Sequence, residues 1–465
     1  MHEICPLRGK AAGTDLKSVP INACRYKTMK KMISIGLIGF GTVGTGVVKL
    51  LQENGDLIAG RLGAAIRLQR IADIDIRKSR GIPVDDALLT TDAADILNDP
   101  GIDIVVELMG GYEPARTFIL AAMTQGKHVV TANKALLATH GDEIFRSAMR
   151  HGVNIGFEAS VGGTVPVIKA LKESLIANRI QSISAIVNGT SNFILSKMTD
   201  EGGSFETVLK EAQALGFAES DPAYDVEGID AAHKLAILLS LSYGKKVHLG
   251  DLYREGITRI GEQDIAFARE LGYRIKLLAI AIRRDREIEA RLHPTMIPFD
   301  HLLANVNGNF NAFHIVGDAA DSVFLYGQGS GMMPTASAVV SDIVDIARDI
   351  RKGIAGRVPP RVLDEEAIEE IRLMHFDQIR TNYYFRFSAV DRPGVLSRIS
   401  GILGANDISI ATVIQKGRKQ GGAVPIVMTT YKARERDVRK ALKDIDRLDI
   451  VMGKTVLIRI EDDKL

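Results

Sequence analysis

The chain has 465 residues, of which 46 % are apolar and 25 % charged, with a formal net charge of +2. That length exceeds what one hydrophobic core usually serves, so several domains are expected, and no apolar run reaches the roughly 18 residues of a membrane span. Residues 1–31 hold seven Lys/Arg against two Asp/Glu, which leaves 52 basic and 55 acidic side chains, net −3, in the remainder and argues against a nucleic-acid partner.

Both cysteines, Cys5 and Cys24, fall in that same leader, so the body has no thiol for a disulfide, a metal or a nucleophile. The leader lacks the apolar stretch of a signal peptide and carries Pro6 and Pro20. It reads as a disordered tail or an over-long start more than as a targeting peptide, and the chain as cytoplasmic.

From Met32 the pattern changes. "MISIGLIGFGTVGTGVVKLLQ" is a short apolar strand, a glycine-rich turn and a helix-period run, with Gly39, Gly41 and Gly44 spaced GxGxxG. Residues 39 to 44, Gly39, Phe40, Gly41, Thr42, Val43 and Gly44, are therefore expected at a dinucleotide pyrophosphate on a helix N-terminus. Further strand-like runs at "IRLQRIAD", "DIVVEL", "HVVTA" and "NIGFEAS" alternate with helix-like runs near 92–98, 114–125 and 135–150, the signature of a doubly wound parallel sheet.

Asp73 ends the second strand, where an acid meets the adenosine ribose and favours the free 2′-hydroxyl of NAD. Arg77, Lys78 and Arg80 follow and can clamp the 2′-phosphate of NADP, so the two cofactors stay open. Two later loops, "ELMGGYEPA" and "TANKALLA", are polar where the reactive end of a cofactor would lie, and Lys134 in the second points into the crevice.

A second domain is expected from Glu158, beginning "EASVGGTVPV". Its glycines expose carbonyl oxygens that, with the carboxylate, can ligate a small hard cation or merely make a turn. Then "ESDPAYDVEGIDAAHKLAILLSLSY" runs a charged loop into an apolar helix. Lys234 lies at i+4 from Asp230, on a stripe continued by Leu238 and Leu241, so the pair faces inward and burial tunes the lysine as an acid. Glu219 and Asp225 on the preceding loop can converge there as a negative pocket for a substrate ammonium, while His233, one residue off the face, reads as structural.

These residues carry a resemblance. "AQALGFAESDPAYDVEGIDAAHK" resembles the signature of homoserine dehydrogenase, and "GFGTVGTGV", "TANKALLA", "EASVGGTVPV", "NGTSNFIL" and "GQGSGMMPTASAVVSDI" resemble that family's other blocks in the same order. The resemblance implies reversible reduction of L-aspartate 4-semialdehyde to L-homoserine with NADPH or NADH, in threonine, methionine and isoleucine biosynthesis. It implies Lys234 as proton donor, Lys134 between nicotinamide and substrate, Glu219 and Asp230 on the substrate, and Gly216 and Gly331 at the cofactor. It also implies a monovalent cation, sodium or potassium, at Glu158 and the backbone oxygens of Val161, Gly163 and Val165.

Residues 325–358 are expected to return to the dinucleotide-binding unit of 32–157, leaving 158–324 as the substrate and dimerisation domain, and 359–382 reads as a linker. Residues 383–461 then give strand, helix, two strands, helix, strand, with "DRPGVL" at the first turn. This is similar to the ferredoxin-like ACT module, which binds amino acids between paired copies; a plain dimerisation domain is the alternative. The resemblance implies a homodimer or homotetramer and feedback inhibition by threonine, with effector contacts at Asp391–Gly394 and Asn406–Ile408. Two rival readings are a phosphoglycerate-dehydrogenase-like enzyme, whose nucleotide fingerprint would lie mid-chain, and a non-catalytic amino-acid sensor, which would not need Lys234.

Overall fold

The computed structural model describes residues 30–244, 247–361, 372–416 and 422–462. All but two residues of the expected leader, and 362–371 of the expected linker, lie outside that set.

The first unit is the doubly wound sheet read from the sequence. Strands β1 (Met32–Ile38), β2 (Ala65–Ala72), β3 (Leu89–Thr90), β4 (Ile104–Glu107), β5 (His128–Thr131) and β6 (Ile155–Gly156) stand in the order β3-β2-β1-β4-β5-β6, every pair parallel. β1 and β4 are apolar at nearly every position because helices cover both faces, and Ile35, Leu37, Ile104, Val105 and Val106 are fully buried. The order reverses between β1 and β4, so the crevice for a ligand opens at their carboxyl ends.

The second unit is built on a long mixed sheet. β7 (Ile180–Ile186), β8 (Tyr253–Arg254), β9 (Tyr273–Arg284), β10 (Glu287–Pro298), β11 (Phe310–Gly317) and β12 (Asp321–Gln328) form its catalytic half, in which β9 and β10 pair antiparallel along their whole length. The helix Ile229–Tyr243 was read as apolar along one stripe, but burial surrounds it, and Asp230, His233 and Lys234 are buried with the leucines. The chain returns to the first unit through the helix Met332–Lys352, whose Val339, Ile343 and Ile346 join the core of β1 and β4. Residues 325–328, expected in that unit, instead finish β12. The return comes only at Gly331, the helix N-cap, where φ is 125°.

After β13 (Arg372–Leu373), strands β14 (Arg380–Val390), β15 (Ile410–Gln415), β16 (Ala423–Thr430), β17 (Ala433–Arg434) and β18 (Val456–Ile460), with the helices Val395–Ala405 and Glu435–Ile445, make the βαββαβ module. Its sheet runs β18-β14-β16-β15. The stretch expected to be a free linker is not one where it is described. β13 pairs with β10, and β18 pairs parallel with β10 through Thr295–Arg459 and Met296–Ile460, so a single twelve-stranded sheet runs through both halves. Among the described residues no helix is long and apolar enough to cross a membrane.

Candidate active site

The glycine turn after β1 is shaped by what surrounds it. Gly39 has φ 99°, and a Cβ there would lie 2.7 Å from the Leu108 carbonyl; a Cβ on Gly44 would overlap the Gly39 carbonyl oxygen. Gly41 faces open space and ends a helix that has no side-chain cap. The N–H groups of Thr42 and Val43 have no acceptor among the described residues, which leaves them for an anion at the helix N-terminus. Phe40, expected among the cofactor contacts, is occupied otherwise: its ring is buried and its N–H donates to Asp73 Oδ2 at 2.6 Å.

Asp73 therefore does two jobs at the edge of the crevice. Its Oδ1 pairs with Arg80 Nη2 at 3.2 Å, and Arg80 Nε reaches back to the Phe40 carbonyl at 2.7 Å. Of the basic trio, Arg80 is folded onto the acid it was set against, while Arg77 and Lys78 stay exposed. An open helix N-terminus behind a glycine turn, with a carboxylate at the end of the neighbouring strand, fits a nicotinamide dinucleotide.

Facing this turn across the crevice is the constellation around Asp230. Asn133 caps the helix Lys134–His151 by accepting from Leu136 N–H, and it places Lys134 at the first turn. Lys134 Nζ lies 3.1 Å from Asp230 Oδ1. The neighbouring oxygen, Asp230 Oδ2, accepts from Lys234 Nζ at 2.7 Å and from Asn188 Nδ2 at 2.9 Å. Lys234 Nζ donates again to the Val187 carbonyl at 2.7 Å, so the third of its N–H bonds has no acceptor among the described residues. Gly228, with φ 77°, turns the charged loop into this helix.

Burial is the largest influence on Lys234 and pushes its pKa below the ordinary lysine range; Asp230 opposes that and the like charge of Lys134 adds to it. For Lys134 burial also acts downward, but the charge and hydrogen bond of Asp230 outweigh it and the pKa rises. Asp230 is itself desolvated, yet the two ammonium groups hold its carboxyl well below the usual range. One carboxylate thus fixes two lysines in different states of readiness.

The remaining expected residues divide. Asp225 is in the cluster: its Oδ1 accepts from the same Asn188 amide at 2.8 Å, and burial raises its pKa. Glu219 is exposed, and no hydrogen bond or ion pair among the described residues joins its side chain to Asp230 or Lys234. Gly216, exposed with φ 75°, follows the helix Phe205–Ala214. His233 Nδ1–H donates to the Ile229 carbonyl at 2.8 Å, with Tyr224 Oη 3.2 Å from the same nitrogen.

At the turn where a cation was expected, the Glu158 carboxylate already accepts two hydrogen bonds. Both Glu158 oxygens accept backbone N–H groups, from Ile168 and Lys169 at 2.8 Å each, and burial, with the nearby Asp342 second, raises its pKa to about 7. The Val165 carbonyl accepts from Val167 N–H, whereas the carbonyls of Val161 and Gly163 receive no hydrogen bond among the described residues.

Asn188 was missed as a site residue. It lies in the quoted block "NGTSNFIL", but what made it legible as a turn, the Asn-Gly pair, conceals its second task. Its Oδ1 caps the helix Gly189–Asp200 through Ser191 N–H while its Nδ2 spans Asp225 and Asp230. Asn311, which shares the Val187 carbonyl with Lys234, carries no signal in its sequence neighbourhood.

A doubly wound unit with a pyrophosphate turn, closed against a buried lysine–carboxylate cluster, defines an oxidoreductase that uses a nicotinamide cofactor. The family models for "Homoserine dehydrogenase, NAD binding domain", "Homoserine dehydrogenase" and "ACT domain" match residues 39–158, 166–344 and 383–449. The chain is 44 % identical over 432 residues to a homoserine dehydrogenase of Pseudomonas aeruginosa, covering 93 % of this chain and 99 % of that one. It is 38 % identical over 436 residues to a homoserine dehydrogenase of Bacillus subtilis, covering 93 % and 99 %. The crystal structure of a homoserine dehydrogenase from Thiobacillus denitrificans superposes with a TM-score of 0.88 at 46 % identity, over 94 % of this chain and 99 % of that one. A hyperthermophilic archaeal homoserine dehydrogenase in complex with NADPH gives 0.59 at 28 % identity, over 68 % and 97 %. The chain belongs to the homoserine dehydrogenase family.

Proposed function

We propose that the crevice reduces the aldehyde of L-aspartate 4-semialdehyde to the alcohol of L-homoserine and runs the reverse reaction, as a cytoplasmic step toward threonine, methionine and isoleucine. The observation that carries this is Lys234, a buried ammonium with two N–H bonds anchored and one free, facing Lys134 across the crevice.

When bound, the nicotinamide supplies the hydride that reaches the aldehyde carbon. The chain supplies the rest. Lys234 Nζ gives a proton to the oxygen that becomes the hydroxyl, and its depressed pKa makes that transfer easier than from an exposed lysine. Asp230 keeps both lysines in place and holds its own charge throughout. Lys134, at the boundary of the two units, orients the aldehyde oxygen and the carboxylate end of the substrate by charge. Asp225 retains acceptor capacity beyond Asn188 and takes the substrate ammonium; Glu219 serves as a second carboxylate from the exposed loop before it.

Thr42 and Val43 hold the pyrophosphate, with Gly216 and Gly331 beside the cofactor, and Asp73 favours NAD while Arg77 and Lys78 favour NADP. A monovalent cation would be held at Glu158 and the backbone oxygens of Val161, Gly163 and Val165, of which the Val161 and Gly163 carbonyls receive no hydrogen bond among the described residues. We place threonine feedback at the C-terminal module of a homodimer or homotetramer, near Asp391–Gly394 and Asn406–Ile408. A Cβ on Gly394 would meet nothing, so Gly394→Asp acts through the φ of 86° and not by crowding.

The deciding experiment is steady-state kinetics on the full chain with aspartate semialdehyde and each cofactor, with and without threonine. No turnover of the semialdehyde with either cofactor would refute the substrate; turnover indifferent to threonine would refute the feedback.

A further inference from the structure

The C-terminal module is docked by buried charge at a point that leads, within one short segment, to the substrate carboxylates. Arg459 is 1 % exposed and divides its guanidinium between the two halves of the molecule. Within the module, its Nε and Nη2 donate to the Glu435 carboxylate at 3.0 and 2.6 Å. Across the junction, its Nη1 donates to Glu255 Oε2 at 2.8 Å and its Nη2 to Tyr253 Oη at 3.2 Å. Tyr253 Oη in turn donates to Glu255 Oε2 at 2.9 Å, so the carboxylate is gripped from both sides.

Glu255 lies on a strap, residues 253–257, that runs from this junction to the substrate turn. At one end β8 pairs with β10, Tyr253 opposite Arg291 and Arg254 opposite Leu292. At the other, Arg254 Nη1 donates to the Glu227 carbonyl at 3.0 Å and Ile257 N–H to the Val226 carbonyl at 2.8 Å. Between them Gly256 is pressed so closely on the turn that a Cβ would overlap the Val226 carbonyl oxygen and lie 2.5 Å from Glu227 Cα. Residues 226–228 are therefore held by the strap on one side. On the other, Asn188 ties Asp225 to Asp230, the residues that flank the turn.

We propose that Glu255 and Arg459 are positioning residues: the C-terminal module, through the strap, sets the spacing of Asp225 and Asp230 and so the affinity for the amino-acid substrate. The inference rests on the reading of those two carboxylates as substrate contacts. Packed elements of this kind switch between discrete arrangements more readily than they deform smoothly, so a loosened clamp lets the turn move as a unit. The cofactor turn lies in the other unit and is untouched by the strap.

The test uses the full-length enzyme. Glu255→Gln removes the charge but leaves Arg459 paired with Glu435, so the module stays folded, and it should raise KM for aspartate semialdehyde about 5-fold or more with KM for the cofactor unchanged. Arg459→Lys, which cannot grip both carboxylates, should do the same. Arg386→Lys disturbs the same junction away from the strap, where Arg386 bonds Asp264 at 2.7 and 2.9 Å, and should leave KM for the semialdehyde as it was. A Glu255→Gln enzyme with wild-type KM, or an equal rise in Arg386→Lys, would overturn the inference. Asp225→Asn separates it from the reading beneath: if Asp225→Asn raises that KM and Glu255→Gln does not, the clamp alone is refuted, whereas no change in either refutes the substrate contacts as well.

Discussion

At the crevice two lysines share one carboxylate; at the junction with the C-terminal module two arginines share four. Arg291 and Arg459, both almost wholly buried, meet Glu289 and Glu461 in one case and Glu435 and Glu255 in the other. Their planar forks satisfy every partner and their protonation is fixed, so the cluster can hold two domains together but has no proton to give. Lysine at the crevice is a point charge whose pKa responds to burial and to Lys134, and one of its N–H bonds is unspent. Buried charge alone therefore does not mark an active site; unfilled bonding capacity on a shiftable group does.

The sharpest way to break that comparison is to remove the shiftable group. Lys234→Ala should lower turnover by roughly 10²- to 10⁴-fold, with cofactor affinity measured by fluorescence titration nearly unchanged. Reduction needs the protonated lysine, so the wild-type rate of reduction should fall as pH rises through the Lys234 pKa, and the oxidation direction should show the opposite limb. Both limbs should vanish in Lys234→Ala. A mutant that kept near-normal turnover would remove Lys234 from the chemistry.

At the junction the corresponding change should cost stability and spare the proton chemistry. Arg291→Met leaves Glu289 and Glu461 buried without their shared cation, and should destabilise the fold by about 3–5 kcal/mol in denaturant titrations. The pH profile of turnover should keep its shape. A shifted profile would mean that the two clusters are electrostatically coupled.

Another buried lysine, Lys276, sharpens the contrast because no carboxylate among the described residues accepts a hydrogen bond from it. Lys276 Nζ donates to the Val306 carbonyl at 2.6 Å and to Asn192 Oδ1 at 3.2 Å, and burial lowers its pKa to about 7. Between about pH 7 and the ordinary lysine value near 10.4 the unfolded chain holds a proton that the folded chain has lost. Stability should therefore rise with pH across that window, by at most about 1.4 kcal/mol per pH unit, and the contribution should be absent from the Lys276→Met protein.

The smallest expected effect concerns the cofactor. Asp73→Ser removes the carboxylate and leaves the Arg80 charge uncompensated, and should shift the kcat/KM ratio toward NADP by about tenfold. The loss of the Phe40 N–H acceptor should weaken both cofactors together and leave that ratio to report charge alone. An unchanged ratio would mean that neither group faces the ribose.

Much of this enzyme is local and therefore readable in the chain itself. The glycine turn needs only spacing and backbone freedom. The Asp230–Lys234 pair needs only a helix, since i and i+4 share a face in any helix. The βαββαβ order of the C-terminal module follows from its apolar periods. What the sequence could not contain is which separately placed groups meet. Lys134 and Asp230 are 96 positions apart and belong to different units, and Asn188 joins two carboxylates from a helix cap; both depend on how the units close. That the Glu158 carboxylate accepts N–H groups from residues 168 and 169 was equally out of reach, because they lie across an irregular turn. The stretch before the C-terminal module looked like a loose linker because its charged residues suggest solvent. Instead β13 pairs with β10, β18 adds to β10 beside it, and Arg459 joins Glu255 to Glu435 across the junction. Period and propensity act over a few residues, whereas hydrogen bonds, desolvation and ion pairing act over a few ångströms, and only the closed tertiary structure decides which residues lie within them.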